Sequence, residues 1–212
     1  YPDENDEELI AIMKSDPRIC PYLDMPIQHI SNRILKRMHR KTSREQIETT
    51  LKLLQKHLPN VVVRTSLMVG FPGETEEEFE ELIEFVKKGW IHHLGVFAYS
   101  REKDSHSDQL DGHISQELKE KRYEKLMQVQ LENVRKQNQK LIGEKLEVMI
   151  EGYSEESSYL LRGRYYGQCP DVDGQVIINE FDLVDAFYQR YLVEITGVSD
   201  YDLIGKVLKK SS

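Results

Sequence analysis

Cysteine is scarce: Cys20 and Cys169 are the only two in 212 residues, far apart and in unlike contexts. That excludes a disulfide framework and fits a reducing cytoplasm. Neither has a partner at ligand spacing, which excludes a structural zinc site and leaves two small packing residues. No run of about 18 apolar residues occurs, so no membrane-spanning helix is expected. No charged-then-apolar leader is visible, and the chain begins with Tyr1, so it reads as a piece of a longer protein. Excess positive charge is also missing: 29 Lys and Arg stand against 37 Asp and Glu, a formal net of −8. Such a balance suits docking to a basic protein better than gripping a phosphate backbone. What remains is ordinary for a globular chain, 31 % charged and 39 % hydrophobic, with length for one large domain or two small ones.

The first hundred residues alternate helix and strand patterns. Residues 3–16 read as a helix whose acidic start suits the helix dipole. Pro17 and Pro21 bracket a loop, and YLDMPIQH, 22–29, reads as a short buried strand. Ser31 can N-cap the helix NRILKRMHR. Ser43 and Gln46 make a capping box for the next helix, which Pro59-Asn60 stops. VVVRTSLMV, 61–69, is β-branched and apolar, a second buried strand, and HHLGVFAYS, 92–100, is a third. This alternation implies parallel pairing and an α/β architecture. Ligands in such sheets sit at the carboxyl ends of the strands. Gln28-His29, Gly70 to Glu74, and Tyr99 to Glu102 should therefore converge on one rim. Three strands cannot close a barrel, so the missing half is expected upstream. Arg33, Lys36, Arg37, His39, Arg40 and Lys41 cluster as either a local basic patch or a solvated helix face. Arg64, inside an apolar strand, needs a carboxylate or similar partner, and a structural ion pair would also serve.

The second strand runs into Gly70-Phe71-Pro72-Gly73 and turns into an acidic helix. Thr75 fits as its N-cap, with Glu78 three residues on, a second capping box. Phe79, Leu82, Ile83 and Val86 repeat at helical spacing and should face a core. A phosphate loop needs free N–H groups and a nearby Lys. Glu74, Glu76, Glu77 and Glu78 crowd this helix start instead and would repel an anion. The glycines thus serve either close approach to something flat and uncharged or a tight turn.

Residues 101–114 are polar and turn-rich. Ser115 opens a long helix, roughly 116–142, ended by Gly143, either a half-exposed connector or a plain packing helix. From Lys145 onward short alternating segments (KLEVMIEGY, SSYLLRGRY, GQVIIN, RYLVEITGV, LIGKVLK) read as a small all-β barrel. Residues 144–212 hold thirteen acidic and seven Lys or Arg residues, a net of −6, the wrong sign for tight phosphate binding. Asp171, Asp173, Glu180, Asp182 and Asp185 make one side acidic. The expected division is 1–112, a connecting helix over 113–143, and 144–212.

YLDMPIQHIS, ILKRMHRKTSREQI, RTSLMVGFPGETEEEFEELIEFV and LGVFAYSREKDS, in this order, resemble the carboxyl-side half of the radical S-adenosylmethionine (SAM) barrel of methylthiotransferases. The closing barrel resembles the TRAM domain typical of that position. The resemblance implies a partial (β/α) radical SAM barrel followed by a small OB-like β-barrel. PYLDMPIQ continuing into His29-Ile30-Ser31, Arg64-Thr65, YSRE and CPDVDG resemble the branch acting on an aspartate of the small-subunit ribosomal protein 12 (uS12) more than the tRNA-modifying branch. A tRNA methylthiotransferase and a non-catalytic module binding ribosomal protein or RNA are the alternatives.

The implied chemistry uses SAM and two 4Fe–4S clusters. One cluster, held by three cysteines, cleaves SAM to a 5′-deoxyadenosyl radical that takes a hydrogen from the aspartate β-carbon, and the other delivers the methylthio group. The resemblance sets Gly70, Phe71, Pro72, Gly73 and Glu74 along the nucleoside of SAM. It sets Gln28 and Arg64 near its amino acid or ribose groups, with Arg40 as a further cofactor residue. Tyr99 and Glu102 border the substrate, and Asp171 and Asp173 belong to the acidic TRAM-like surface facing a basic ribosomal protein. Two departures stand out. Asp104-Ser105 replaces the usual Gly-Thr, so the bend near the substrate should differ. The C-x3-C-x2-C motif is absent, so the cluster ligands are expected outside this chain, which alone should hold no metal and be inactive. Its partners would be uS12 and its own amino-terminal half, with no membrane and no nucleic acid as direct substrate.

Overall fold

The computed structural model describes residues 6–211. They form two compact units that meet in sequence at Gln130–Leu131. The helix expected over 3–16 is α1, Asp6–Ser15, and residues 3–5 lie outside the described residues.

In the first unit, β1 (Tyr22–Asp24), β2 (Val62–Val69) and β3 (His93–Ala98) form a parallel sheet in that order. Helices α2 (Asn32–Arg37), α3 (Arg44–His57) and α4 (Glu76–Lys87) connect them. One sheet face is sealed: Val63, Leu67 and Val69 pack with Leu51 and Leu54 of α3 and with Phe79, Leu82, Ile83 and Val86 of α4. The other face is not. Arg64, Ser66 and Met68 are half-buried, and Phe97 is 55 % exposed. The second strand therefore alternates instead of being buried on both sides, as its apolar run suggested.

The expected strand over 22–29 is shorter than read. β1 stops at Asp24: the Met25 N–H still donates to the Arg64 carbonyl (2.9 Å), then the chain leaves the ladder around Pro26 and rejoins β2 at the Gln28–Leu67 bridge. The buried Thr65 hydroxyl spans this gap: it donates to the Met25 carbonyl (2.7 Å) and accepts from the Ile27 N–H (3.1 Å). The helix expected to reach Arg40 ends at Arg37. There His39 takes a left-handed φ of 56°, its N–H bonds to the Lys36 carbonyl and that of Arg40 to the Leu35 carbonyl. This is a Schellman turn with histidine where glycine is usual. Both capping boxes form as read, Ser43 with Gln46 and Thr75 with Glu78.

Helix α5, Gln116–Gln139, begins in the first unit, where Lys119, Arg122 and Leu126 are buried, and the unit boundary falls inside it. The second unit is a closed barrel of β4 (Lys145–Tyr153), β5 (Leu161–Arg164), β6 (Val176–Glu180), β7 (Gln189–Ser199) and β8 (Asp202–Lys210). The ladder order is β4-β5-β6-β8-β7, with β6 and β8 parallel and the other pairs antiparallel. Val148, Ile150, Leu161, Val176, Ile178, Tyr191 and Val193 fill its interior. The α/β unit followed by a small all-β barrel is the architecture read from the sequence. Cys20 is exposed, so it is not the packing residue expected, and Cys169 is half-buried.

Candidate functional site

The carboxyl end of the parallel sheet carries a pocket of about 350 Å³. Gln28 enters from the end of β1, Met68 from β2 and Phe71 from the glycine loop. Arg37, Met38, His39 and Arg40 come from the end of α2, and Ser105, His106 and Ser107 from the loop after β3. No carboxylate is among its lining residues, in a protein with a net charge of −8. The pocket thus has one apolar wall, Phe71 and Met68, and a rim of cationic and hydroxyl groups. The His39 and His106 rings lie 4.2 Å apart, centre to centre, at 30°.

The glycine loop is built for this position. Phe71 to Glu74 is a type II turn: Pro72 presets the first corner, Gly73 supplies φ 82° at the second, and the Glu74 N–H returns to the Phe71 carbonyl (2.9 Å). Gly70 has φ 73°, and a β-carbon there would lie 2.2 Å from Lys119 Cγ, so this glycine serves close packing within the protein. Arg33 and Arg37 donate to the Gly73 and Pro72 carbonyls at 2.6 and 3.2 Å. Two members of the basic cluster thus grip the loop, two more line the pocket, and only Lys36 and Lys41 fit a solvated face.

The four glutamates of the helix start divide their work. Glu74 is fully buried: one oxygen accepts from the Gly70 N–H (2.8 Å), the other from Arg122 of α5 (2.7 Å). Glu76 takes the second arm of Arg122 (2.9 Å). Glu78 accepts from the Thr75 N–H (3.0 Å), the Ser31 hydroxyl (2.7 Å) and Arg33. Burial alone would raise the pKa of Glu78. The hydrogen bonds from Arg33, Thr75 and Ser31 outweigh it and hold the carboxyl down to about 2. Glu77 stays exposed.

The structure brings Gln28, Arg40 and Phe71 together around the pocket. Gly70, Pro72 and Gly73 flank Phe71 in the loop but are not among the pocket's lining residues. Tyr99 is buried, with its ring 5.3 Å from that of Phe71 and its hydroxyl unpartnered. Glu102 is exposed nearby in sequence, and Asp104 takes φ 64°, the left-handed region that glycine favours. Arg64 is not part of the pocket. It stands early in β2, level with Asp24 and His93, and donates to Asp24 at 2.8 Å. Sequence reasoning left Arg33, Arg37 and His39 open between a basic patch and a solvated face, and missed His106, Lys119 and Arg122. Their signals are long-range pairings that a single sequence does not display.

In the second unit, Asp171 and Asp173 lie in a basin of about 370 Å³ with Glu151, Glu155, Glu156 and Asp202. Two arginines share it, Arg164 held by Glu151 (2.7 Å) and Arg162 by Glu155 (3.2 Å). Burial, with Glu156 and Asp200 nearby, raises the Asp202 carboxyl above its usual range against a hydrogen bond from the Gln175 N–H. Asp173 accepts from the Cys169 N–H (2.8 Å), which closes the CPDVD turn. Asp185 is engaged internally, accepting from Tyr191 (2.5 Å) and Lys210 (2.9 Å). Among the described residues no group of three or more His, Cys, Asp or Glu is arranged to hold a metal ion, and no helix is long and apolar enough to cross a membrane.

Comparison with known proteins adds two families and a set of close relatives. Residues 1–86 match the Radical SAM superfamily, and residues 142–208 match the TRAM domain. The chain is 56 % identical over 208 residues to the ribosomal protein uS12 methylthiotransferase RimO of Protochlamydia amoebophila, covering 98 % of this chain and 44 % of that protein. It is 50 % identical over 211 residues to the protein of that name from Chlamydia felis (100 % and 46 %) and 45 % identical over 208 residues to that from Geobacter sulfurreducens (98 % and 46 %). The chain thus spans about half the length of the curated relatives it matches.

Proposed function

The chain belongs to the RimO-type radical SAM methylthiotransferases, and from that membership we propose that it is the carboxyl-side half of an enzyme that methylthiolates the β-carbon of an aspartate in ribosomal protein uS12. The observation that carries this reading is the pocket at the sheet's carboxyl end, with no carboxylate in its lining, beside a glycine loop whose own acid, Glu74, is turned into the protein. Its volume of about 350 Å³ suits a nucleoside with an attached amino acid. SAM fits the residues present. Phe71 and Met68 offer a wall for adenine, and Gln28 and Ser105 offer hydrogen bonds to polar groups. Arg40 offers a positive charge to the carboxylate.

When bound to a reduced 4Fe–4S cluster, SAM supplies the radical that removes the β-hydrogen. The cluster itself does not fit this chain: its only two cysteines are Cys20, exposed on the first unit, and Cys169, in the second, and among the described residues neither belongs to a group of metal-ligating side chains. The cluster cysteines are therefore assigned to the amino-terminal half. This segment by itself should hold no stoichiometric iron and cleave no SAM, which iron analysis and a cleavage assay would check; turnover by the segment alone would overturn the assignment. Arg64, already balanced by Asp24, is assigned to the open face of the sheet, where the rest of the barrel would close. Tyr99 and Glu102 border the substrate side.

The acidic basin around Asp171 and Asp173 gives the TRAM-like barrel a surface for a basic protein, with both its arginines already neutralised by glutamates. The cytoplasm is the compartment this reading needs. The test is the full-length enzyme with its clusters rebuilt, given SAM, reductant and either a uS12 loop peptide or tRNA. A methylthio mass on the peptide aspartate is expected. The same mass on a tRNA adenosine, with none on the peptide, would move the protein to the sister branch.

A further inference from the structure

The end of α5 nearest the sheet is tied to the carboxyl ends of all three strands. Lys119 Nζ donates to the Tyr99 carbonyl after β3 (2.9 Å), and its stem lies against Gly70 after β2. Arg122, 4 % exposed, donates to Glu74 (2.7 Å) and Glu76 (2.9 Å). Glu74 in turn fixes the Gly70 N–H and faces His29 Nε2, after β1, at 3.6 Å. His29 is fully buried, and its Nδ1 accepts from the Ser31 N–H (3.0 Å), which leaves the ring proton on Nε2, toward Glu74. One residue before His29 is Gln28, a pocket residue held at φ 73°, outside the region a glutamine prefers. One residue after Gly70 is Phe71, the opposite wall.

We infer that Arg122, through Glu74 and with Lys119, is a positioning residue for the SAM pocket: α5 buckles the glycine loop to the end of β1 and so sets the distance between Gln28 and Phe71. This rests on the reading of the pocket as the SAM site. The physical reason is that Glu74 is buried with no solvent to replace a lost partner. Without the guanidinium its carboxylate must turn outward, which frees the Gly70 N–H and relaxes the turn that holds Phe71. A displacement of about 1 Å at such a wall is enough to weaken ligand placement by an order of magnitude or more. A plain packing role for α5 predicts something else, namely loss of stability without selective damage to SAM use.

The experiment compares Arg122→Met, Arg122→Lys and Leu126→Ala in the full-length enzyme with its clusters rebuilt. Leu126 is fully buried one helical turn further along α5, in the apolar core, and has no polar tie to the glycine loop, so its truncation removes packing by the helix and leaves the Arg122–Glu74 bond in place. Two quantities are read: kcat and KM for SAM, and amide hydrogen exchange at Gly70. Arg122→Met is expected to raise KM for SAM about 10-fold with kcat changed less than about 3-fold, and to speed exchange at Gly70 while Val63 to Leu67 stay protected. Arg122→Lys should recover most of the loss. If Arg122→Met does not fold, the lysine variant decides, because it must still shift KM and Gly70 exchange in the same direction. An unchanged KM, or an equal rise with Leu126→Ala, overturns the inference. If the unaltered enzyme does not bind SAM, the reading of the pocket fails, and the clamp then stands or falls on Gly70 exchange alone.

Discussion

Glu74 and Glu78 are four residues apart and hold their carboxyl groups in different surroundings. Glu78 is partly screened and answers to Arg33, Ser31 and its own N-cap. Its carboxyl is held at about 2 against an ordinary 4.5, so its contribution to stability is complete above about pH 4.5 and is lost as pH falls toward 2. Glu78→Gln should therefore lower stability at neutral pH and flatten the acid limb between those values in pH-dependent urea melts. Among the described residues, Glu74 has only Arg122 as a charge partner within hydrogen-bond reach. Removing one member of such a buried pair costs about 3–5 kcal/mol, whereas replacing both by apolar groups costs far less. Arg122→Met alone should unfold at markedly lower denaturant than the Arg122→Met/Glu74→Leu double variant, measured by urea titration. The sequence displays Glu74 as one acid among four. Nothing in its neighbourhood says that its partner lies 48 residues on in α5.

At the scale of elements, local chemistry carried the reading and long-range chemistry escaped it. The capping serines and threonine, the Pro-Gly corner and the spacing of Phe79, Leu82, Ile83 and Val86 are all local signals, and each element formed where they put it. The strand over 22–29 failed because Pro26 interrupts it, which was visible, and because Thr65 repairs the interruption, which was not. That repair makes a prediction. Thr65→Val keeps the shape but leaves the Ile27 N–H and the Met25 carbonyl buried and unpaired, a loss of about 1–3 kcal/mol, to be read from the shift in a urea midpoint. The pattern of NRILKRMHR carries no glycine to mark a stop before Arg40, yet His39 takes the left-handed conformation and ends the helix there. Its turn is what brings His39 to the pocket beside Arg40, the one residue of that turn read as a cofactor residue from the sequence.

At the scale of the molecule the two units differ in how their sheets finish. The barrel closes on itself and has no free edge, and it carries −6 of the chain's −8. The three-stranded sheet has an edge at β1 and at β3 and an open face bearing Met68 and the exposed Phe97. Residues 131–212 alone should therefore give a cooperative melt as a monomer. Residues 1–130 alone should associate or melt broadly, with circular dichroism and sedimentation as the checks. Fold class and the acid-rich barrel were legible from alternation and charge count. The pocket was legible only as a rim, because its cationic side comes from α2 and the loop after β3 by tertiary packing.

The most direct measurement is the mass of ribosomal protein uS12 from cells lacking the full-length gene that encodes this chain, with and without that gene restored. The account predicts uS12 without a methylthio group in the deletion and its return, on a single aspartate, on complementation. Fully modified uS12 in the deletion, or a missing methylthio group on tRNA instead, would contradict it.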